Sequence, residues 1–261
     1  MKNRNKFILL IILVIIILFL TAGVALAPKI QKYLRTREIE NENTKTLEEI
    51  TDENIIEPGT VQKVEKKTAT PLPEKAYLEV QFICQAPLET EENWTHHEES
   101  CEEAAALMAF DYETGKSVTK EEANEEILSM IEWQKKYFGA HKDLYSDEMK
   151  EFLVNYYDLQ DTEVTIIKNA SINDIKLQIA NGHPVIVPVT SSLLSNPYYP
   201  YPGYHMLIAI GYTKDKIITN DNGTRRGKDF SYDTTEFEAA MKDAGGNVLV
   251  IKSDQNLNTD L

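Results

Sequence analysis

Residues 205–223 read HMLIAIGYTKDKIITNDNG. An apolar run from His205 to Tyr212 is followed by Thr213-Lys214-Asp215 and a second β-rich run, Lys216–Asn220. This is the pattern of two strands joined by a short turn. Folding the chain about residues 213–214 sets His205 and Asp221 opposite each other within about two residues, on a ladder where same-face Cβ atoms lie roughly 5 Å apart. The hairpin therefore brings an imidazole to a carboxylate, with Asn220 or Asn222 as the alternative partner in another register.

Working upstream, Ser100-Cys101-Glu102-Glu103 has the form of a capping box, with Ser100 at N-cap and Glu103 at N3. The run CEEAAALMAF then predicts a largely buried helix that ends before Gly115. Cys101 falls at its first position, where free N–H groups and the helix dipole favour a thiolate, although Glu102 and Glu103 oppose that. A helix-start cysteine facing a His–carboxylate pair on a sheet is the arrangement of a Cys–His–Asp triad. In that reading Cys101 is the nucleophile, His205 is base and then acid, and Asp221 orients the ring. Gln85 follows an apolar strand, Tyr77–Ile83, and is the candidate oxyanion donor beside the backbone N–H of Cys101.

The remaining pattern frames these residues. Thr119 and Glu122 form a second capping box, opening a helix through Ile127, Met130, Ile131 and Trp133 toward Gly139. Ser146 is expected to cap a third helix, with Met149, Phe152, Leu153, Tyr156 and Tyr157 on one face. Strand Val164–Lys168, helix Ser171–Ala180 with Gly182 as its stop, and strand Pro184–Val189 follow. A short strand near Phe230, a helix capped by Thr234 or Thr235, and strand Val248–Lys252 complete the body. Helices first and antiparallel sheet later is an α+β fold. The loop before His205 carries Tyr198, Tyr199, Tyr201 and Tyr204 among three prolines. These aromatics are read either as substrate-binding residues or as a lid packed on the sheet.

The strings FICQAP, CEEAAALMA, EILSMIEWQKKYFGAHKD, LLSNPYYPYPGYHMLIAIGY and ITNDNGTRRGKDFSY together resemble the Peptidase C39-like family. The resemblance runs from about residue 76 to 252. It implies a papain-like cysteine peptidase fold, with Gln85 at the oxyanion hole, Cys101 as nucleophile, His205 as base and Asp221 as its partner. Where this family usually has Asp-Pro-Gly, the chain has Asp221-Asn222-Gly223, and asparagine, like proline, is at home in such a turn. Relatives that trim bacteriocin leaders are part of transporters. No transporter or nucleotide-binding segment is seen in this chain, so leader processing is not carried over.

Charge and hydropathy bound the rest. The net charge is −15, and residues 76–261 hold 15 basic and 32 acidic side chains. A body so acidic disfavours nucleic acid as a partner, because that binding needs a basic footprint. A peptide or cell-wall-type substrate is expected instead. The uncharged run Phe7–Ala27 is long enough, at roughly 31 Å, to cross a hydrocarbon core once as a helix. Its length and Pro28 after Ala25-Leu26-Ala27 favour an uncleaved anchor over a signal peptide. The expected order is a cytoplasmic stub at 1–6, a single-pass anchor at 7–27, an extracytoplasmic linker at 28–75 with a short helix near Thr46–Ile50, a catalytic domain at 76–253, and a polar tail at 254–261. His96-His97 has no second ligand pair at useful spacing, so neither metal nor cofactor is expected. Cys84 is read as a buried small hydrophobe turned away from Cys101.

Overall fold

The computed structural model describes residues 26–56, 72–199 and 203–252. It divides into two units, one ending at Lys45 and a larger one running from Thr46 to Leu261. The expected anchor lies outside the described residues except for its last two, as do the stub and the tail. Among the described residues no helix is long and apolar enough to cross a membrane.

Residues 26–48 form one helix, α1, where a mostly unstructured linker was expected. Its sequence is rich in Glu, Lys and Arg and has only one proline, near its start, so nothing interrupts it. The segment after it also departs from the linker reading. Ile55–Ile56 is a short strand, β1, that pairs in parallel with Ala76–Leu78, β2. Two consecutive isoleucines in a polar stretch gain burial by covering a sheet edge that would otherwise be open.

The sheet of the larger unit has the order β1-β2-β5-β4-β8-β3, where β3 is Val164–Ile167, β4 Val185–Thr190, β5 Tyr204–Tyr212 and β8 Val248–Ile251. On the other edge of β5 lie β6, Lys216–Asn220, and then β7, Phe230–Asp233. All pairings except β1 with β2 are antiparallel. β5 is thus central: β4 follows its first part, β6 its second, and β2 only its end. Every residue of β5 from His205 to Tyr212 is buried, as an unbroken apolar strand should be.

Six further helices lie among the described residues, of which α3, α5, α6 and α7 pack on the sheet: α2 Glu91–His96, α3 Cys101–Thr114, α4 Lys120–Tyr137, α5 Ser146–Tyr156, α6 Ile172–Ala180 and α7 Thr234–Asp243. The arrangement is the α+β architecture expected from the chain order. α3 lies against β5 and is buried nearly all round, which its weakly amphipathic CEEAAALMAF sequence permits. This packing carries the start of α3 to the start of β5.

Several local expectations are corrected. The strand expected over Tyr77–Ile83 is regular only to Leu78, and residues 79–90 run irregularly toward α2. Ser100 precedes α3 but makes no side-chain cap, and Glu103 does not close a capping box. Glu103 turns inward to Gln134 and His141 instead, where a buried carboxylate finds donors. Ser146 is the first residue of α5 rather than its cap, and Asp233 rather than a threonine precedes α7. The Thr119–Glu122 box is formed as expected.

Candidate functional site

The site grows from the hairpin. β5 and β6 pair as Ile208 with Asn220, with a bulge between Ala209 and Gly211. Asp221 follows directly after β6, and its Oδ1 accepts from His205 Nε2 at 2.9 Å. Both residues are buried. Two glycines make this geometry possible. A Cβ on Gly223 would stand 2.8 Å from His205 Cε1, so the backbone lies flat against the imidazole. A Cβ on Gly227 would meet the Asp221 carbonyl carbon at 2.6 Å, in a turn closed by Asp221 N donating to Gly227 O at 2.8 Å.

Asp221 is held by more than His205. Its Oδ1 also accepts from Gly223 N, and its Oδ2 accepts from Asn196 Nδ2 at 3.0 Å, Tyr199 Oη at 2.6 Å and Tyr232 Oη. Burial by itself would raise this carboxyl. The hydrogen bond and charge of His205, with the two tyrosine hydroxyls, outweigh burial and hold it below the ordinary aspartate range. Burial conversely keeps Tyr199 and Tyr232 protonated, hence donors.

Cys101 opens α3, and its side chain lines one cavity with Gln85, His205, Tyr199, Tyr204 and Gly223. The thiol is held protonated here. Sγ donates to Glu102 Oε2 at 3.0 Å, and Glu102 Oε1 accepts from Leu144 N at 3.0 Å. Burial pushes the Cys101 thiol well above the ordinary cysteine range, and the Glu102 carboxylate pushes it further. Glu102 itself is raised to about 8, first by burial and then by the charge of Glu103. The helix dipole at a single N-terminus, worth about 0.3–1 kcal/mol, does not match full desolvation beside an anion.

Gln85 is buried at the same cavity, with its amide nitrogen donating to the carbonyls of His97 and Glu98 at 2.8 and 2.7 Å. Its backbone N–H donates to Asn222 O at 3.0 Å. Both amide protons are therefore engaged with the loop before Cys101. The neighbouring side chain, Cys84, faces a different cavity that includes Phe82, Lys120 and Arg225, and both cysteines are free. Burial raises the Cys84 thiol to about 11, that of an unreactive side chain.

The aromatic loop divides. Tyr199 and Tyr204 line the cavity, but their hydroxyls serve the protein: Tyr204 Oη donates to Leu144 O at 2.8 Å, and Tyr199 Oη to Asp221. Tyr198 packs against Phe230 and under the Arg226 guanidinium, away from the residues lining the cavity. Tyr201 lies outside the described residues. His97 is buried between Ser100 and Asn124, and burial lowers it, which favours a neutral structural ring. His141 pairs with Glu103 at 3.1 Å and is raised by that hydrogen bond. Among the described residues no cluster of three or more His, Cys, Asp or Glu could hold a metal.

Sequence reasoning missed Asn196, Tyr232 and Glu102 as parts of the site. Glu102 was visible as a charge beside the cysteine. Asn196 and Tyr232 carry no local signal, since only β7 and the post-β4 segment meeting over Asp221 bring them there.

The sequence model of the Peptidase C39-like family matches residues 77–247. The chain belongs to this family. A crystal structure from Bacillus anthracis described as a C39-like peptidase is similar at 15% identity and a TM-score of 0.49, covering 69% of this chain and 98% of that one. No curated protein matches. The family match spans Gln85, Cys101, His205 and Asp221, as well as Asn196 and Tyr232.

Proposed function

We propose that this Peptidase C39-like chain is a cysteine peptidase cleaving peptide or isopeptide bonds, tethered by residues 7–27 with its catalytic domain outside the membrane. The observation that carries the chemistry is the 2.9 Å bond from His205 Nε2 to Asp221 in the cavity that Cys101 and Gln85 also line. Because Nε2 is committed to Asp221, Nδ1 is the nitrogen free to take the thiol proton. Sγ leaves Glu102, gives its proton to Nδ1 and attacks the scissile carbonyl. The resulting oxyanion is met by the Cys101 backbone N–H and by Gln85 once it gives up one carbonyl. His205 then protonates the leaving amine, and water returns along the same path to hydrolyse the thioester. Glu98, Glu99 and Asp143 also line the cavity, and among the described residues its lining includes no lysine or arginine. A peptide or wall-type substrate bearing an amine suits such a lining.

A thiol-directed activity probe on the full-length chain tests this reading. Labelling is expected to vanish in Cys101→Ala, to persist in Cys84→Ala and to slow in His205→Ala. Equal labelling of both cysteine variants would remove Cys101 as nucleophile. A second reading, a surface binding module with weak or no catalysis, is favoured by one observation: the resting thiol is bonded to Glu102 and raised. Labelling that ignores His205 would support that reading. Protease accessibility of the body on intact cells tests the topology, and protection of the body would contradict it.

A further inference from the structure

Three of the five hydrogen bonds to Asp221 come from outside its own hairpin. Asn196 Nδ2 and Tyr199 Oη reach Oδ2 from the segment after β4, and Tyr232 Oη reaches it from β7. We propose that Asn196, Tyr199 and Tyr232 are positioning residues that fix the Asp221 carboxylate, and through it the imidazole of His205; this rests on the catalytic pair assigned above.

The donors are mutually ordered. Asn196 Oδ1 accepts from Tyr198 N at 3.0 Å, which fixes the side-chain amide so that Nδ2 faces inward. From there Nδ2 also donates to Tyr232 Oη at 2.9 Å, leaving the Tyr232 proton for Asp221. Tyr199 Oη lies 3.2 Å from Tyr232 Oη and has one proton, which the charged carboxylate claims at 2.6 Å. Three donors converge on Oδ2, so the carboxylate plane cannot turn, and Oδ1 is left to His205 Nε2 and Gly223 N. Such a cradle compensates the burial of an ionised carboxylate that would otherwise take up a proton.

Tyr199 is the informative member. Its ring meets the His205 ring edge to face, with centroids 5.4 Å apart, and lines the cavity. Its hydroxyl, however, donates to Asp221. Removing the hydroxyl thus leaves the cavity wall in place and takes away the hold on Asp221 together with the weaker contact to Tyr232. The titratable groups around the Asp221 carboxyl are His205 on β5, Tyr232 on β7, Tyr199 on the segment after β4 and Cys84 on the segment before α2. Of these, only His205 adds a positive charge.

The test measures alkylation of Cys101 by iodoacetamide in the full-length chain, read by mass spectrometry across pH. Wild type, Tyr199→Phe, Tyr232→Phe, the double variant, Asn196→Ala and His205→Ala are compared. Each single variant is expected to react several-fold more slowly near neutrality, and the double variant roughly tenfold to a hundredfold, the scale of hydrogen bonds to a charged group. The acidic limb of the profile should move to higher pH in both tyrosine variants, because Asp221 then holds its proton more tightly. A folded double variant with the wild-type rate and limb, while His205→Ala is slow, overturns the positioning role and leaves the proposed function standing. Equal rates in wild type and His205→Ala overturn both. If Tyr232→Phe does not fold, Tyr199→Phe reads the same Oδ2 contact from the cavity side.

Discussion

The side-chain amide of Asn222 donates to the backbone carbonyl of Cys101 at 2.9 Å. The carbonyl of Asn222 in turn accepts from Gln85 N at 3.0 Å. One fully buried residue beside Asp221 therefore ties the start of the Cys101 helix and Gln85 to the His205–Asp221 hairpin. This is the position where the family usually places a proline. Proline could not make the bond to Cys101, so the departure in sequence gives a clamp in three dimensions. Asn222→Ala, which leaves the Cys101 carbonyl without this donor, is expected to cost about 1–3 kcal/mol in urea unfolding and to slow probe labelling of Cys101. Asn222→Pro should likewise slow labelling, and wild-type rates in both would show that the clamp does not matter.

Burial and Glu102 together hold the thiol protonated. Glu102 accepts the Cys101 hydrogen bond, and its charge adds to burial in raising the thiol. Glu102→Gln keeps an acceptor for Leu144 N and removes the charge. The pH at which Cys101 begins to react with iodoacetamide should fall in this variant. An unchanged onset would mean that burial alone governs the thiol.

Gly223 leaves no room for a side chain beside His205. Gly223→Ala must displace the imidazole or the turn, since the added carbon would sit 3.0 Å from Nε2 itself. Probe labelling is expected to drop about tenfold or more, as small misplacements of reacting groups do. Global stability should change by only about 1–3 kcal/mol, the usual cost of overpacking. Thermal melts and labelling rates measured on the same preparation separate the two effects.

Stability should decline as pH rises from about 5 to about 8. Burial raises Asp111 to about 6, and burial with the Glu103 charge raises Glu102 to about 8. His141 is raised by its hydrogen bond to Glu103. In each case the folded state binds the proton more tightly than the unfolded chain does. The unfolded state therefore holds fewer protons across this window, and unfolding becomes easier with increasing pH. Asp221, which is lowered, acts with the opposite sign in more acidic solution, and His97, which burial lowers, offsets part of the decline in the lower half of the window. The loss is expected to be on the order of a few kcal/mol. Urea midpoints at both pH values check it, and Glu102→Gln should flatten the dependence.

The sequence by itself determined a good deal here. The periodicity of residues 205–220 and the turn between the two runs specify the β5–β6 hairpin, and the capping chemistry of Thr119 and Glu122 specifies the start of α4. The placing of His205 near Asp221 follows from counting along that hairpin, since both lie on one local element. Tertiary structure decided what local pattern does not encode. Ser100-Cys101-Glu102-Glu103 reads as a capping box, yet burial against α4 and the His141 loop draws Glu103 inward, and Glu102 takes the thiol. Ile55–Ile56 reads as linker because its partner strand lies some twenty residues on. Asn196 and Tyr232 reach Asp221 from separate parts of the chain, and Tyr199 turns its hydroxyl from the cavity to the carboxylate. A fully buried aspartate needs its donors wherever the fold can bring them, and that demand has no period along the chain.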